Sequence, residues 1–244
     1  MTDIHCHILP FVDDGAQSME QAVEMARMAS ASGVTTLIAT PHCNLPGADK
    51  NYFSPSLLDG FSALRKAVKA AGIPLTILPG AEILCTPEVP GLLSAGLLPT
   101  LAGSRYLLLE FFFDEETDYM DELLRAVSAQ NRIPVIAHPE RYEAVQRNPR
   151  VVERWFREGY VIQLNKGSVL GRLGRRAEYT AHWILERGLA HTVASDAHGT
   201  EERTTDMFLL EEYLYRLCPE AYADILLRRN PARIAADRPV VESE

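Results

Sequence analysis

At 244 residues and 47% hydrophobic content, the chain suits one large α/β domain over residues 1–244; two small domains are the weaker reading. A net charge of −9 with no basic run excludes nucleic acid as the main partner, since phosphate backbones call for a basic face. No apolar stretch reaches membrane-spanning length, and Met1 stands directly against the first expected strand with no room for a secretory leader, so the setting reads as cytoplasmic, without membrane insertion.

The first stretch runs from Met1 to Gly15. Asp3-Ile4-His5-Cys6-His7 alternates polar and apolar residues, the strand period, so His5 and His7 are expected on one side, where they could share a metal ion. Asp13 and Asp14 follow on the next turn, and a carboxylate there could serve the same ion or a neighbour. Alone, His-x-His is more often a pair of half-buried strand histidines. The weight therefore falls on whether the rest of the chain repeats the pattern.

Ser18, with Gln21 three residues on, reads as a helix N-cap; a helix is expected over Met19–Ala31, closed by Gly33. A buried strand over 34–39 delivers Thr40-Pro41-His42. A polar loop, Cys43 to Ser54, leads into a helix over Pro55–Ala71, and the strand 75–78 then delivers Gly80-Ala81-Glu82. The Pro/Gly-rich stretch Thr86 to Pro99 has room for one short helical piece. A strand over 105–109 ends in Glu110, a helix covers 118–130, and a strand over 133–137 ends in His138-Pro139-Glu140-Arg141. A helical region over 142–158 is interrupted near Pro149, and the strand 160–164 ends at Asn165. A helix over 173–187 stops at Gly188, and a short strand over 192–194 ends in Ser195-Asp196-Ala197-His198. The C-terminal part reads as helical, broken at Pro219 and Pro231.

Strand and helix thus alternate seven times, the signature of a parallel sheet under helical cover. A closed or nearly closed barrel suits this repeat better than a doubly wound open sheet. His7, Asp14, His42, Glu82, Glu110, His138, Asn165 and Asp196 all fall just past strand ends, which in a parallel barrel converge on one rim, where active sites sit. Five of the seven histidines (His5, His7, His42, His138, His198) share that face. His182 lies within a helix and His191 precedes its strand, so both are expected to be structural or surface residues.

Five imidazoles with Glu82, Glu110, Asp196 and Asp14 exceed what one zinc ion takes and match two or three ions sharing carboxylates. Mixed nitrogen and oxygen donors without thiolate suit manganese, iron or zinc and disfavour calcium. Cys6 has the opposite strand parity to His5 and His7 and is expected in the core. Clustered ions in an open pocket point to metal-assisted hydrolysis, most often of a phosphate ester. Arg141 and Arg203 lie near the same rim, and a guanidinium fork matches a phosphate; a solvated surface arginine is an equal reading for each on sequence grounds alone.

The opening Asp3-Ile4-His5-Cys6-His7-Ile8-Leu9-Pro10 with Asp13-Asp14-Gly15-Ala16 resembles that of the PHP (polymerase and histidinol phosphatase) superfamily. More narrowly, it resembles the bacterial PHP-type protein-tyrosine phosphatases of capsule and exopolysaccharide operons. The likeness continues in order through Thr40-Pro41-His42, Gly80-Ala81-Glu82, Leu108-Leu109-Glu110-Phe111, Ala137-His138-Pro139-Glu140-Arg141-Tyr142, Gln163-Leu164-Asn165-Lys166-Gly167-Ser168 and Ala194-Ser195-Asp196-Ala197-His198. The resemblance implies a distorted (β/α)7 TIM-like barrel of the PHP fold holding divalent ions, commonly manganese or iron. It implies a ligand set of His5, His7, Asp14, His42, Glu82, Glu110, His138, Asp196 and His198. It places phosphate-binding arginines at Arg141 and Arg203, so that the expected catalytic set is Arg141, Arg203, His138 and His198. The implied substrate is the phosphotyrosine tail of a partner bacterial tyrosine kinase that controls polysaccharide export. Phe11, Lys166 and Gly199 depart from the family pattern, and Phe111-Phe112-Phe113 is unusually aromatic. These departures bear on the substrate-facing rim and not on the metals.

A cysteine-based tyrosine phosphatase needs arginine six residues after its thiolate. Val12, Asp49, Gly91 and Asp224 stand there relative to Cys6, Cys43, Cys85 and Cys218, which excludes that mechanism. The scattered cysteines read as reduced thiols. Histidinol-phosphate phosphatase is the nearest alternative, a nuclease is disfavoured by charge, and a non-catalytic metal-binding regulator of the kinase is the alternative from another class.

Overall fold

Each short aliphatic or β-branched run becomes a parallel strand: β1 (Thr2–Cys6), β2 (Thr36–Ala39), β3 (His42–Cys43), β4 (Thr76–Pro79), β5 (Glu82–Leu84), β6 (Tyr106–Glu110), β7 (Ile133–Ala137), β8 (Val161–Asn165) and β9 (Thr192–Ala194). The computed structural model describes residues 1–46 and 51–242; residues 47–50 of the expected polar loop, and the last two of the chain, lie outside the described residues. Pairing runs β1-β2-β4 in one sheet and β3-β5-β6-β7-β8-β9 in the other.

Two of the seven expected strands, 34–39 and 75–78, are each continued by a second short segment past the expected end. β3 resumes two residues after β2 and β5 two residues after β4, the chain bending at Thr40-Pro41 and Gly80-Ala81. Pro41 has no N–H for a ladder, and a Cβ on Gly80 would come within 2.8 Å of the Ile38 side chain. Hydrogen bonds from Thr40 to Cys6 (2.8 Å) and from Glu82 to Pro41 (3.1 Å) carry the strands across the bend. The result is seven strand positions made from nine segments. β9 meets β1 through a single bridge, Cys6 to Ala197. Backbone bonds of 2.9 Å from Asp196 to His5 and from His7 to Ala197 reinforce it, and the Asp3 carboxylate accepts the Ser195 N–H at 3.1 Å. That short seam closes the barrel.

Alternation then sorts the side chains. Ile4, Ile38, Leu108, Val135, Ala137, Val161 and Ala194, drawn from six strands, form one interior cluster, joined by Ile234 of the C-terminal helix. Their neighbours Leu37, Leu107, Leu109, Ile136, Ile162, Leu164 and Val193 face outward into the larger core beneath the helices. A register shift between Asp3 and Cys6 marks β1; Cys6 is buried in the outer core, as its parity predicts.

The helices follow the sequence closely. Ser18 caps Met19–Ala31 by accepting the Gln21 N–H, and the others include Pro55–Ala70, Val89–Ser94, Thr117–Ser128, Glu143–Arg147, Val151–Arg157 and Arg175–Glu186. A short helix, Lys166–Val169, follows β8 unannounced. The expected break at Pro219 is present, between Phe208–Leu217 and Glu220–Asp224, but Pro231 breaks nothing. It lies in the first turn of Asn230–Ala235, where a missing N–H forfeits no intrahelical bond, just after a π turn over Ile225–Arg229. No helix among the described residues is long and apolar enough to cross a membrane.

Candidate metal centre

The C-terminal strand ends place all nine expected ligands around one depression. β1 delivers His5 and, one residue past its end, His7; their Nε2 atoms lie 3.2 Å apart. β3 and β5 present His42 and Glu82 in register, and Glu110 ends β6. His138 and Asp196 follow β7 and β9 in left-handed conformations, with φ of 35° and 48°. Such backbone costs about 1–3 kcal/mol per residue and persists where surrounding structure dictates it, as at active sites. The Asp13-Asp14 turn is equally constrained, because a Cβ on Gly15 would fall 2.0 Å from the His7 carbonyl oxygen.

The donor atoms fall into four overlapping groups, each with its atoms within 4.8 Å of one another: His7, Asp14, His42 and His198; His5, His7 and Asp196; His5, Glu82 and His138; His42, Glu82 and Glu110. Glu82 is central. Its two oxygens reach His138 at 2.8 Å and His5 at 3.2 Å on one side, and His7 at 3.2 Å and His42 at 3.1 Å on the other. Glu110 lies 2.8 Å from His42. Asp14, two-thirds exposed, reaches His198 at 3.3 Å. Three atoms aimed into this cluster, His42 Nδ1, Glu110 Oε1 and Asp196 Oδ1, are buried without a well-aligned hydrogen bond, although the first two lie 2.8 Å apart as an ion pair. Unpaired buried acceptors are rare and costly. Imidazoles and carboxylates gathered this way fit divalent cations of the manganese, iron or zinc kind.

The charges balance among themselves. Burial opposes charge on His7, but hydrogen bonds to Asp13 and Glu82 outweigh it and hold its pKa well above the usual range. Burial also opposes charge on His42, yet Glu110 and Glu82 lift it to about 9. Burial would raise Glu82 and Asp196, but the surrounding imidazoles, and for Asp196 the Arg203 guanidinium, drive both well down. The hydrogen bond from His198 does the same for Asp14. Asp14, Glu82 and Asp196 therefore stay ionised, as ligating carboxylates must be.

Arg141 and Arg203 converge on the outer oxygen of Asp196, at 3.5 and 2.6 Å. They line a cavity of about 260 Å³ together with Glu82, His138, His198 and Phe113. A larger cleft, about 960 Å³ between Leu185, Tyr222 and Val241, contains no imidazole. His182 is half-buried and bonds the Val169 carbonyl at 3.0 Å. His191 is buried and accepts the Ile162 N–H at 3.0 Å. Both are structural, as their positions imply. All four cysteines are free. Burial raises every thiol, Cys6 most strongly and Cys43 and Cys85 to about 12, so none supplies a thiolate.

Three orienting groups stand outside the expected ligand and catalytic sets, although the sequence already placed Asp13 and Asn165 near this rim. Asp13 holds His7 Nδ1 at 2.8 Å and accepts the His42 N–H at 2.9 Å. Gln163 holds His5 Nδ1 at 2.8 Å. A proton on each Nδ1 leaves Nε2 facing the cluster. Asn165 donates to Asp196 in a short bond. Gln163 and Asn165 share an inward strand face with Val161, so parity along β8 was the available signal. The signal for Asp13 was its place beside Asp14.

A family model described as capsular polysaccharide synthesis, CpsB/CapC, matches residues 1–236. The chain is 39% identical over 217 residues to tyrosine-protein phosphatase YwqE of Bacillus subtilis (strain 168), covering 89% of this chain and 84% of that one. It is 30% identical over 251 aligned positions to tyrosine-protein phosphatase CpsB of Streptococcus pneumoniae, covering 98% and 99%. A crystal structure from the work on YwqE and CpsB, described as unique metal-dependent tyrosine phosphatases, superposes with a TM-score of 0.92 at 34% identity, over 100% of this chain and 97% of that one. The phosphotriesterase from Mycobacterium tuberculosis, at 13% identity and a TM-score of 0.61 over 98% and 95% of the two chains, shares the fold alone.

Proposed function

The chain belongs to the CpsB/CapC family of capsular polysaccharide synthesis, and from that premise we propose that it is a metal-dependent protein-tyrosine phosphatase. The observation that carries this reading is the convergence of nine donor side chains, most of them buried, beside two arginines. We assign His5, His7, Asp14, His42, Glu82, Glu110, His138, Asp196 and His198 as ligands of two or three divalent ions, manganese first, iron or zinc otherwise. Bound there, such ions supply a water of near-neutral pKa and positive charge for the phosphoryl oxygens.

The chain's own groups do the rest. Arg203 and Arg141, fixed by Asp196, hold the phosphate oxygens and complement charge that grows in the transition state. His138, fully buried against Glu82, and His198, at the lip beside Asp14, complete the catalytic set. A departing phenolate, with a pKa of about 10, leaves far more readily than an alkoxide, so tyrosine phosphate asks little of a general acid. The relatives' names support a phosphorylated protein tyrosine as substrate and the family description supports a role in capsule synthesis; on that basis we assign the phosphotyrosine tail of a bacterial tyrosine kinase as partner, in the cytoplasm.

Turnover of a phosphotyrosine peptide and of histidinol phosphate, compared after chelation and return of manganese, tests this. The peptide is expected to be preferred, with its turnover lost on chelation and restored by the metal. Preference for histidinol phosphate overturns the substrate; no turnover of either leaves the non-catalytic regulator as the reading.

A further inference from the structure

We propose that Phe112 and Phe113 form an aromatic wall that grips the substrate's phenyl ring and selects aryl over alkyl phosphate esters, an inference that rests on the phosphatase reading above. Glu110 ends β6, and the three phenylalanines that follow it all line the cavity that holds Glu82, His138 and Arg141. Phe111 is buried, whereas Phe112 and Phe113 are 50% and 45% exposed. Scattered surface apolar residues need no explanation, but two adjacent exposed phenyl rings on the lip of a cavity lined mostly by acids, imidazoles and arginines do.

The backbone of the wall and the Phe113 ring are fixed before anything binds. The Phe111 N–H donates to the Tyr142 hydroxyl at 3.1 Å, and that buried hydroxyl donates to the Ala137 carbonyl at 2.8 Å. The Glu143 N–H holds the Phe113 carbonyl at 2.8 Å, and the Glu115 N–H holds that of Phe112 at 3.1 Å. The Phe113 ring carries the Arg141 guanidinium over its face at 4.4 Å and lies 6.1 Å from the His138 ring. Little ordering is left to be lost on binding.

Depth gives the wall its selectivity. Glu82 and His138 are 1% and 2% exposed, so a phosphoryl group must descend to reach them, whereas the phenyl rings stand half in solvent above. A phosphotyrosine keeps its ring between phosphorus and peptide, at the height of Phe112 and Phe113, where offset or edge contacts between aromatic faces are favourable. A phosphoserine has nothing to place there and must draw its backbone into the cavity. Arg141 serves both ends, its face turned to Phe113 and its edge, anchored through Nη1 to Asp196 at 3.5 Å, offering further N–H groups to phosphate oxygens.

The test uses the metal-loaded full chain, with phosphotyrosine peptide as reporter substrate and phenylphosphonate, methylphosphonate and inorganic phosphate as competitive inhibitors. Phe112→Ala and Phe113→Ala are each expected to raise the peptide KM and the phenylphosphonate inhibition constant about tenfold, equivalent to about 1.4 kcal/mol, with kcat nearly unchanged. Inhibition by methylphosphonate and by inorganic phosphate is expected to stay as in the unaltered chain, and Phe113→Tyr, which keeps the ring, to restore phenylphosphonate binding. Equal weakening of all three inhibitors overturns the proposal, since Phe113 would then act only by propping Arg141. Unchanged phenylphosphonate inhibition in both variants overturns it as well. If the unaltered chain releases no phosphate from the peptide, the phosphatase reading falls together with the wall, a result distinct from either of these.

Discussion

At the C-terminal rim His7 is buried among carboxylates, and near the opposite end of the barrel His191 is just as buried beside the Ile162 N–H and the Phe156 ring. Asp13 and Glu82 overcome burial and hold the His7 pKa well above the ordinary value, whereas burial alone drives His191 down to about 4. The same side chain is thus set among acids that favour a cation, proton or metal, at one end and kept neutral at the other. The difference lies in topology. Parallel strands send their last residues to one rim, where acids and imidazoles meet, and begin at the other, where a histidine finds backbone and apolar neighbours.

Breaking the charged end is expected to produce the largest effects. Glu82→Gln removes the carboxylate that four imidazoles face. Loss of several kcal/mol of charge complementarity there lowers kcat/KM about a thousandfold or more and abolishes metal uptake. His182→Ala, on its outer helix, is expected to leave kcat/KM close to unchanged, and a comparable loss there would erase the contrast. Arg203→Ala comes next, with kcat down by about a hundredfold and metal content intact. Asp13→Asn sharpens the comparison further. Without that carboxylate on its Nδ1, His7 is less basic and less well aimed, so metal affinity falls about 10–100-fold while the fold survives, measurable by competition with a chelator.

The quiet end gives the smallest effect, read in stability. The folded chain holds His191 at about 4, below its unfolded value of about 6.5, so the unfolded state takes up the proton first as pH falls. This contribution is intact above about pH 6.5 and is lost progressively down to about pH 4, amounting to ~3 kcal/mol. His191→Asn, which keeps an acceptor for the Ile162 N–H, is expected to flatten that part of the denaturation-against-pH curve. An unchanged slope contradicts the assignment.

Most of the candidate ligands were legible in the chain because they end or closely follow a recognisable strand, and strand ends in a parallel barrel have one destination; His42, Glu110 and Asp196 needed only their neighbours in sequence. The bends at Thr40-Pro41 and Gly80-Ala81 were not, since they depend on what Gly80 meets across the sheet, the Ile38 side chain. Nor was the left-handed backbone at His138 and Asp196, since His and Asp enter that region more readily than most residues but nothing local singles out these two. The contact of Gln163 with His5 spans 158 residues, and only the closed barrel brings the two together. Pro231 misled for the opposite reason: a strong local signal was absorbed by the π turn before it.

The most direct test of the central claim is the ion content of the purified chain, by elemental analysis. Two or three divalent ions per chain are expected, leaving together with activity on chelation. A folded, active chain that carries none would contradict the account.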